Sequence, residues 1–208
     1  AELNTTKSDP PVFLTADADG DGMSDIVSIV AGSRDVLVST STGFSHEVWG
    51  ELDPESGWSL HLGGDFNDDS RTDTAGFRSS DGTWHTSVSQ GDSFATSTWA
   101  DFSSAAGWLS RVVGDFNRDG RSDIAQFHPS NGTWWISQSN GSSFDTTLWA
   151  DFSTASGWGP QLVGDFNGDS RSDIANYHSS NGTWWVSRST GTTFVTSLWA
   201  DFSTAAGW

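Results

Sequence analysis

The chain has 208 residues, with 27 acidic and 9 basic side chains, a formal charge of −18, thirteen tryptophans and no cysteine. That length buries a core either as one domain or as a row of small units. The charge excludes nucleic acid and anionic membrane as expected partners, because their phosphates would be repelled. The missing cysteines exclude a disulfide framework but leave metal ions as staples, and no apolar run reaches the ~18 residues that a membrane span needs.

Residues 1–10 read as an N-terminal arm or a strand remnant. From there the sequence repeats itself. Gly64-Asp65-Phe66-Asn67 recurs at Gly114 and Gly164, and Leu198-Trp199-Ala200-Asp201-Phe202-Ser203 recurs from Leu148 and, with Thr98 for leucine, from Thr98. Gly-Trp pairs end at Trp58, Trp108, Trp158 and Trp208. The period is 50 residues between Asp65, Asp115 and Asp165 and 48 between Asp17 and Asp65, so the first unit is two residues short, in the turn near Gly43. The units are 11–58, 59–108, 109–158 and 159–208, expected as blades of a single repeat domain covering 1–208.

Each unit reads as four strands. In the fourth, Leu162-Val163 form a short first strand that runs into an acidic loop, and Ile174–Tyr177 form the second. Asn181-Gly182 predicts a two-residue hairpin turn, because both residues tolerate positive φ. Trp184–Ser187 form the third strand, Thr190-Gly191 turn again, and Phe194–Trp199 form the fourth. Nothing has sustained helical periodicity. The expected fold is all-β, a propeller-type array of four four-stranded antiparallel blades.

The acidic loop after each first strand carries the strongest chemical signal. Its pattern, Asp-x-[Asp/Asn]-x-Asp-x-x-x-Asp, occurs four times: Asp17, Asp19, Asp21 and Asp25; Asp65, Asn67, Asp69 and Asp73; Asp115, Asn117, Asp119 and Asp123; Asp165, Asn167, Asp169 and Asp173. Hard oxygen ligands at alternate positions suit calcium, which takes six to eight oxygens. The carbonyls of Met23, Arg71, Arg121 and Arg171 stand two residues past the third acid and are expected to add a ligand. The loop is not an EF-hand, since Ser28 occupies the twelfth position where that motif needs glutamate. No histidine or cysteine is placed to favour zinc. The ligand positions hold 13 of the 27 acids, and four calcium ions would change the formal charge from −18 to −10. About four Ca²⁺ per chain are therefore expected, with folding linked to calcium.

The Gly-Asp-Phe-Asn-x-Asp-x-x-x-Asp-Ile-Ala run, followed by the Asn-Gly-Thr-Trp-Trp strand, resembles the FG-GAP/VCBS repeat family. The resemblance is close over units two to four and reaches unit one through its acidic loop. It implies calcium-bearing propeller blades, as in integrin α-subunits, some fungal lectins and modules of secreted proteins, with the listed acids as calcium ligands. Such propellers commonly have about seven blades and this chain has four repeats, so closure, self-association or further blades is expected.

The tryptophans fall into three sets. Trp134-Trp135 and Trp184-Trp185, with Trp84-His85 as counterpart, lie on third strands; Trp49, Trp99, Trp149 and Trp199 lie on fourth strands; Trp58, Trp108, Trp158 and Trp208 lie in connections. Neighbours on a strand point to opposite faces, so a Trp-Trp pair suits a sheet covered on both sides. Pyranose rings also stack on indole, and the connection tryptophans Trp108, Trp158 and Trp208, with the polar neighbours His128 and His178, are the candidate ligand residues. Packing against the adjacent blade competes with that reading. The Asn-Gly-Thr/Ser triplets at Asn131, Asn140 and Asn181 are sequons that also serve as turn signals.

No catalytic constellation stands out: there is no cysteine nucleophile and no Gly-x-Ser-x-Gly elbow. The function expected is that of an extracellular, secreted or cell-surface calcium-binding module that recognises glycans or glycoproteins, and not an enzyme. The alternative is a structural or adhesive protomer of a surface assembly, or an accessory module of a larger secreted protein, with calcium purely structural.

Overall fold

The structure is a computed structural model and describes residues 11–30, 32–52, 57–101, 110–152 and 158–202. Sixteen strands form four antiparallel sheets, each a simple meander in which every strand pairs with its chain neighbour. Sheet 1 is β1 (Val12–Ala16), β2 (Asp25–Val30), β3 (Ser33–Thr40) and β4 (Gly43–Glu51). Sheet 2 is β5 (Trp58–Gly64), β6 (Asp73–Arg78), β7 (Thr83–Ser89) and β8 (Phe94–Asp101). Sheet 3 is β9 (Ser110–Gly114), β10 (Asp123–His128), β11 (Thr133–Ser139) and β12 (Phe144–Asp151). Sheet 4 is β13 (Trp158–Gly164), β14 (Asp173–His178), β15 (Thr183–Ser189) and β16 (Phe194–Asp201). Four such sheets are consistent with propeller blades. No helix among the described residues is long and apolar enough to cross a membrane, which says nothing of a β-barrel.

The chain divides into two compact units, Ala1–Asp65 with Asp69–Ser103, and Phe66–Asp68 with Ser104–Trp208. In the first, Val27, Val36 and Trp49 of sheet 1 form the core, and Phe94 and Trp58 of sheet 2 pack against it. In the second, Phe116, Trp134, Ile136 and Trp149 pack with Ile174 and Phe194 of sheet 4. Adjacent residues on one strand serve opposite faces. Trp134 is fully buried while Trp135 is half-buried and donates its indole N–H to the Thr133 hydroxyl.

Four features differ from the pattern read in the sequence. The two residues that unit one lacks are missing from the turn between β2 and β3, where Val30 pairs with Ser33 while Arg78 pairs with Thr83, and not from the turn near Gly43, which has the same length in sheets 1 and 2. The fourth strand of every sheet carries a bulge at its tryptophan: Trp134 pairs with Ala150 and Trp135 with Leu148, which leaves Trp149 without an opposite residue. Trp49, Trp99 and Trp199 occupy the same place. A bulge re-aims a side chain, and here it turns Trp49, Trp99 and Trp149 into the interior. The Asn181-Gly182 turn has four residues rather than two, because His178 pairs with Thr183 and the Gly182 N–H reaches back to the His178 carbonyl. Only Gly182 has positive φ, and Asn181 works through its side chain, accepting from the N–H and hydroxyl of Thr183. Finally, Trp58 and Trp158 are not in connections. They open β5 and β13, paired with Arg78 and His178.

Candidate functional site

Each acidic loop joins the first strand of its sheet to the second, and its side chains fold the loop on itself. In the first loop the two carboxylate oxygens of Asp17 accept the N–H groups of Gly20 and Gly22, at 2.9 and 3.1 Å. Asp19 and Asp21 accept the N–H groups two residues further on. Asp115 and Asp165 repeat the role of Asp17, each with one oxygen on two N–H groups and the other on a third. Such turns need left-handed residues at two places. Gly20 and Gly22 supply them in loop one, Arg118 and Gly120 in loop three, and Gly168 and Ser170 in loop four. All four non-glycine residues with positive φ in the described chain (Asp68, Ser70, Arg118 and Ser170) lie in these loops. Backbone strain of this kind persists only where the surroundings hold it, and such places cluster at functional sites.

The last acid of each loop is fully buried. Asp25 accepts the Ala18 N–H at 2.8 Å on one oxygen and the Ser39 N–H at 2.7 Å on the other, clamping the start of the loop to the third strand. Asp123 does the same with Phe116 and Ser139, and Asp173 with Phe166 and Ser189. Burial pushes Asp123 up to about 7, against those two N–H bonds, and also raises Asp173. Each oxygen keeps a second lone pair.

The loops differ in what meets the third acid. The acidic oxygens of Asp17, Asp19 and Asp21 lie within 4.8 Å of one another, and loop one has Met23 where the others have arginine. In the other loops Arg71 pairs with Asp69 at 2.6 Å, Arg171 with Asp169 at 2.5 Å, and Arg121 with Asp119. The same arginines donate Nε–H to the carbonyls of Ser89, Ser139 and Ser189. Asn117 and Asn167 donate to the third acid as well. The sequence suggests a ligand role for the carbonyls of Arg71, Arg121 and Arg171, and the structure adds these side-chain contacts. An arginine two residues after the third acid, in three loops of four, was the available signal. The oxygen-only donor set fits a hard divalent cation; among the described residues no arginine pairs with a carboxylate of loop one, and in the others a guanidinium already holds one carboxylate.

Among the candidate ligand residues, Trp158 and His178 come together. They are register partners at the edge of sheet 4, with ring centroids 5.0 Å apart in a T-shaped contact, and both are half-buried. Phe152 packs on Trp158 at 5.5 Å, and Ser180 bonds His178 Nδ1. His128 ends β10 as His178 ends β14, with its Nδ1 on Ser130. Trp108 and Trp208 lie outside the described residues. In sheet 2 Arg78 stands where sheet 4 has His178, and Trp58 instead meets His85 edge-on at 5.2 Å and His61 at 5.8 Å, a cluster that the sequence did not disclose. Gly76 lies beneath, where a Cβ would come within 3.0 Å of the Trp58 ring. Asp81, held down to about 2 by Arg78, and Thr83 flank this cluster.

Residues 65–126 match the family model of the FG-GAP-like repeat. The chain thus carries an FG-GAP-like repeat that spans its second and third acidic loops. A solved structure of a lectin from Agrocybe aegerita, described as showing specific recognition of non-reducing terminal N-acetylglucosamine, superposes with a TM-score of 0.73 at 24% identity, over 95% of this chain and 54% of the lectin. The chain therefore spans about half the length of that lectin, and the likeness is one of fold. No curated protein matches the chain.

Proposed function

We propose that the chain is an extracellular calcium-binding β-propeller module that recognises carbohydrate and performs no catalysis. The observation that carries the carbohydrate reading is the half-buried Trp158–His178 pair at a sheet edge, with a second tryptophan–histidine cluster of different arrangement, Trp58 with His85 and His61, in sheet 2. An indole offers an apolar face for sugar C–H groups, and imidazoles and hydroxyls beside it fix orientation. The likeness of fold to a lectin supports this and makes terminal N-acetylglucosamine the first probe.

In this reading Asp17, Asp19, Asp21 and Asp25, with the Met23 carbonyl, hold one calcium, and the loops at 65–73, 115–123 and 165–173 hold three more. Calcium would neutralise carboxylates that the fold crowds together and so stiffen the loops. Affinity follows loop charge. Loop one has four carboxylates and no cation; loop two has four with Arg71; loop four has three with Arg171; loop three has three with Arg118 and Arg121. Loop one binds most tightly and loop three least. Weak sites of this kind suit an extracellular setting rich in calcium.

The test is a glycan array in excess calcium, followed by titration calorimetry with the best hit. The account expects retention of glycans ending in N-acetylglucosamine or a related hexose, and at least a tenfold loss on Trp158→Ala, about 1.4 kcal/mol. A folded chain that binds no glycan, or binds equally well without Trp158 and Trp58, contradicts it.

A further inference from the structure

We propose that the joint between sheets 1 and 2 holds a small monovalent anion, of which chloride is the type, against the guanidinium of Arg34. Arg34 stands on β3 where the other sheets have tryptophan. Ile29 pairs with Arg34 and Arg34 with Gly50, as Phe77 pairs with Trp84 and Trp84 with Ala100. Like Trp84 and Trp134 it is turned inward, at 1% exposure, and it is the one fully buried arginine among the described residues. Its guanidinium carbon lies 4.7 Å from the centre of the Phe94 ring of sheet 2. Arg71, Arg78, Arg121 and Arg171 each pair with an aspartate. Among the described residues no carboxylate pairs with Arg34, and its Nε–H is buried without an acceptor. Burial lowers its pKa to about 10, which leaves it charged at neutral pH. A buried charge without a counter-charge is among the most costly groups a fold can carry, and stacking on one aromatic ring offsets only part of that cost.

The joint is also less filled than its equivalents. Besides Arg34 for tryptophan, three positions of unit one carry smaller side chains than units two and three. Ala18 stands where Phe66 and Phe116 do, each lending its carbonyl to a serine hydroxyl of the next sheet. Ile29 stands for Phe77 and Phe127, and Gly50 for Ala100 and Ala150. Ala18 and Ile29 belong to one core cluster with Trp49, and Phe94 packs against it, so the volume is lost in one place. A Cβ on Gly50 would meet nothing within 4 Å, and Phe94 is only half-buried where Phe144 and Phe194 are buried. Interiors are otherwise close-packed. With alanine, isoleucine and aromatic rings around the guanidinium, a water accepting from Nε would find few further partners and would leave the charge uncompensated. An anion accepts the same hydrogen bond and neutralises the charge. One guanidinium calls for one negative charge, and the enclosed place admits only a small ion. The chain's net charge of −18 opposes uptake at long range, and physiological salt screens that opposition.

The experiment is thermal melting of the full chain in chloride-free calcium buffer, with sodium chloride replacing the sodium salt of HEPES at constant ionic strength. The wild type is expected to melt about 2–4 °C higher in chloride, as a site filled to a few times its Kd gives a chain of this length. Arg34→Trp restores the side chain of the other units, and Arg34→Met keeps a long apolar stem without charge. Each is expected to melt at one temperature throughout the titration. A wild type that melts alike in both salts overturns the inference, as does a chloride shift that persists in either variant. Wild-type crystals soaked in bromide give a second reading that needs no variant. An anomalous peak beside Arg34 is expected, and bromide ordered only elsewhere, or water alone at that place, overturns the inference. Neither reading involves sugar, so the outcome is independent of glycan binding.

Discussion

The Ser189 hydroxyl donates a 2.5 Å hydrogen bond to the Phe116 carbonyl, 73 residues away, and so ties the third strand of sheet 4 to the acidic loop of sheet 3. Ser139 makes the same bond to Phe66, and Ser89 to Ala18. Removing the hydroxyl leaves a buried carbonyl unpaired, at a cost of about 1–3 kcal/mol. Ser189→Ala is expected to lower the urea-unfolding free energy by that amount. Ser39→Ala is expected to be neutral or stabilising, because it deletes a buried hydroxyl that bonds nothing. Equal losses at the two positions would contradict the account.

The tryptophans divide by burial. Trp134 is fully buried in the second unit, and Phe127 packs on it at 5.2 Å. Trp134→Ala is expected to cost about 3–5 kcal/mol, the usual range for a large core side chain. Trp199→Ala, at a half-exposed place, is expected to cost well under half as much. Chemical denaturation of the two variants compares them directly.

Much of this was legible in the sequence because the repeat states the pattern several times over. The strand order, the strand centres and the position of each acidic loop follow from alternation and turn residues at a 50-residue period. What stayed hidden has local physical causes. A bulge removes one residue from the pairing, so the inward aim of Trp149 breaks the period of two that alternation reads. The four-residue hairpin hides behind Asn-Gly, because the asparagine acts by its side chain and not by its backbone. Trp58 reads as a connection because Gly-Trp resembles a break, yet it begins a strand. The acids were legible as a set. The guanidiniums on Asp69, Asp119 and Asp169 were not, since arginine on a polar loop looks like a solvated side chain.

Those guanidiniums predict unequal metal sites. Arg121→Ala frees the Asp119 carboxylate and removes one positive charge from loop three, so the weakest calcium class is expected to tighten, by about tenfold or 1.4 kcal/mol. The same change deletes the bond from Arg121 Nε to the Ser139 carbonyl, so stability without calcium is expected to fall. Calorimetric titration with calcium, paired with melting in chelator, reads both effects. A variant with unchanged calcium affinity would contradict the competition.

His85 gives the chain a pH dependence of known sign. Burial, with help from the Arg78 charge, holds its pKa below the ordinary 6.5. The unfolded chain therefore takes up the proton first. The stability contributed by neutral His85 is complete above about pH 6.5 and is lost as pH falls through 6.5 and then through the lower folded value. Asp81, held down to about 2 by Arg78, stays ionised over that window, and its constant negative charge works against the lowering without reversing it. An NMR titration of the His85 ring is expected to give a midpoint below 6.5; a midpoint at or above 6.5 would contradict the burial argument.

The most direct test of the central claim is a melting curve in excess calcium and again in excess chelator, with bound metal counted by native mass spectrometry. The account predicts about four calcium ions per chain and a melting temperature that falls by many degrees when they are removed, with Asp17→Asn abolishing the tightest equivalent. Bound ligand stabilises by RT ln(1 + [L]/Kd), about 2.7 kcal/mol for a site at a hundred times its Kd. Identical curves with and without chelator, and no metal in the mass spectrum, would contradict it and leave the acidic loops as turns held by their own hydrogen bonds.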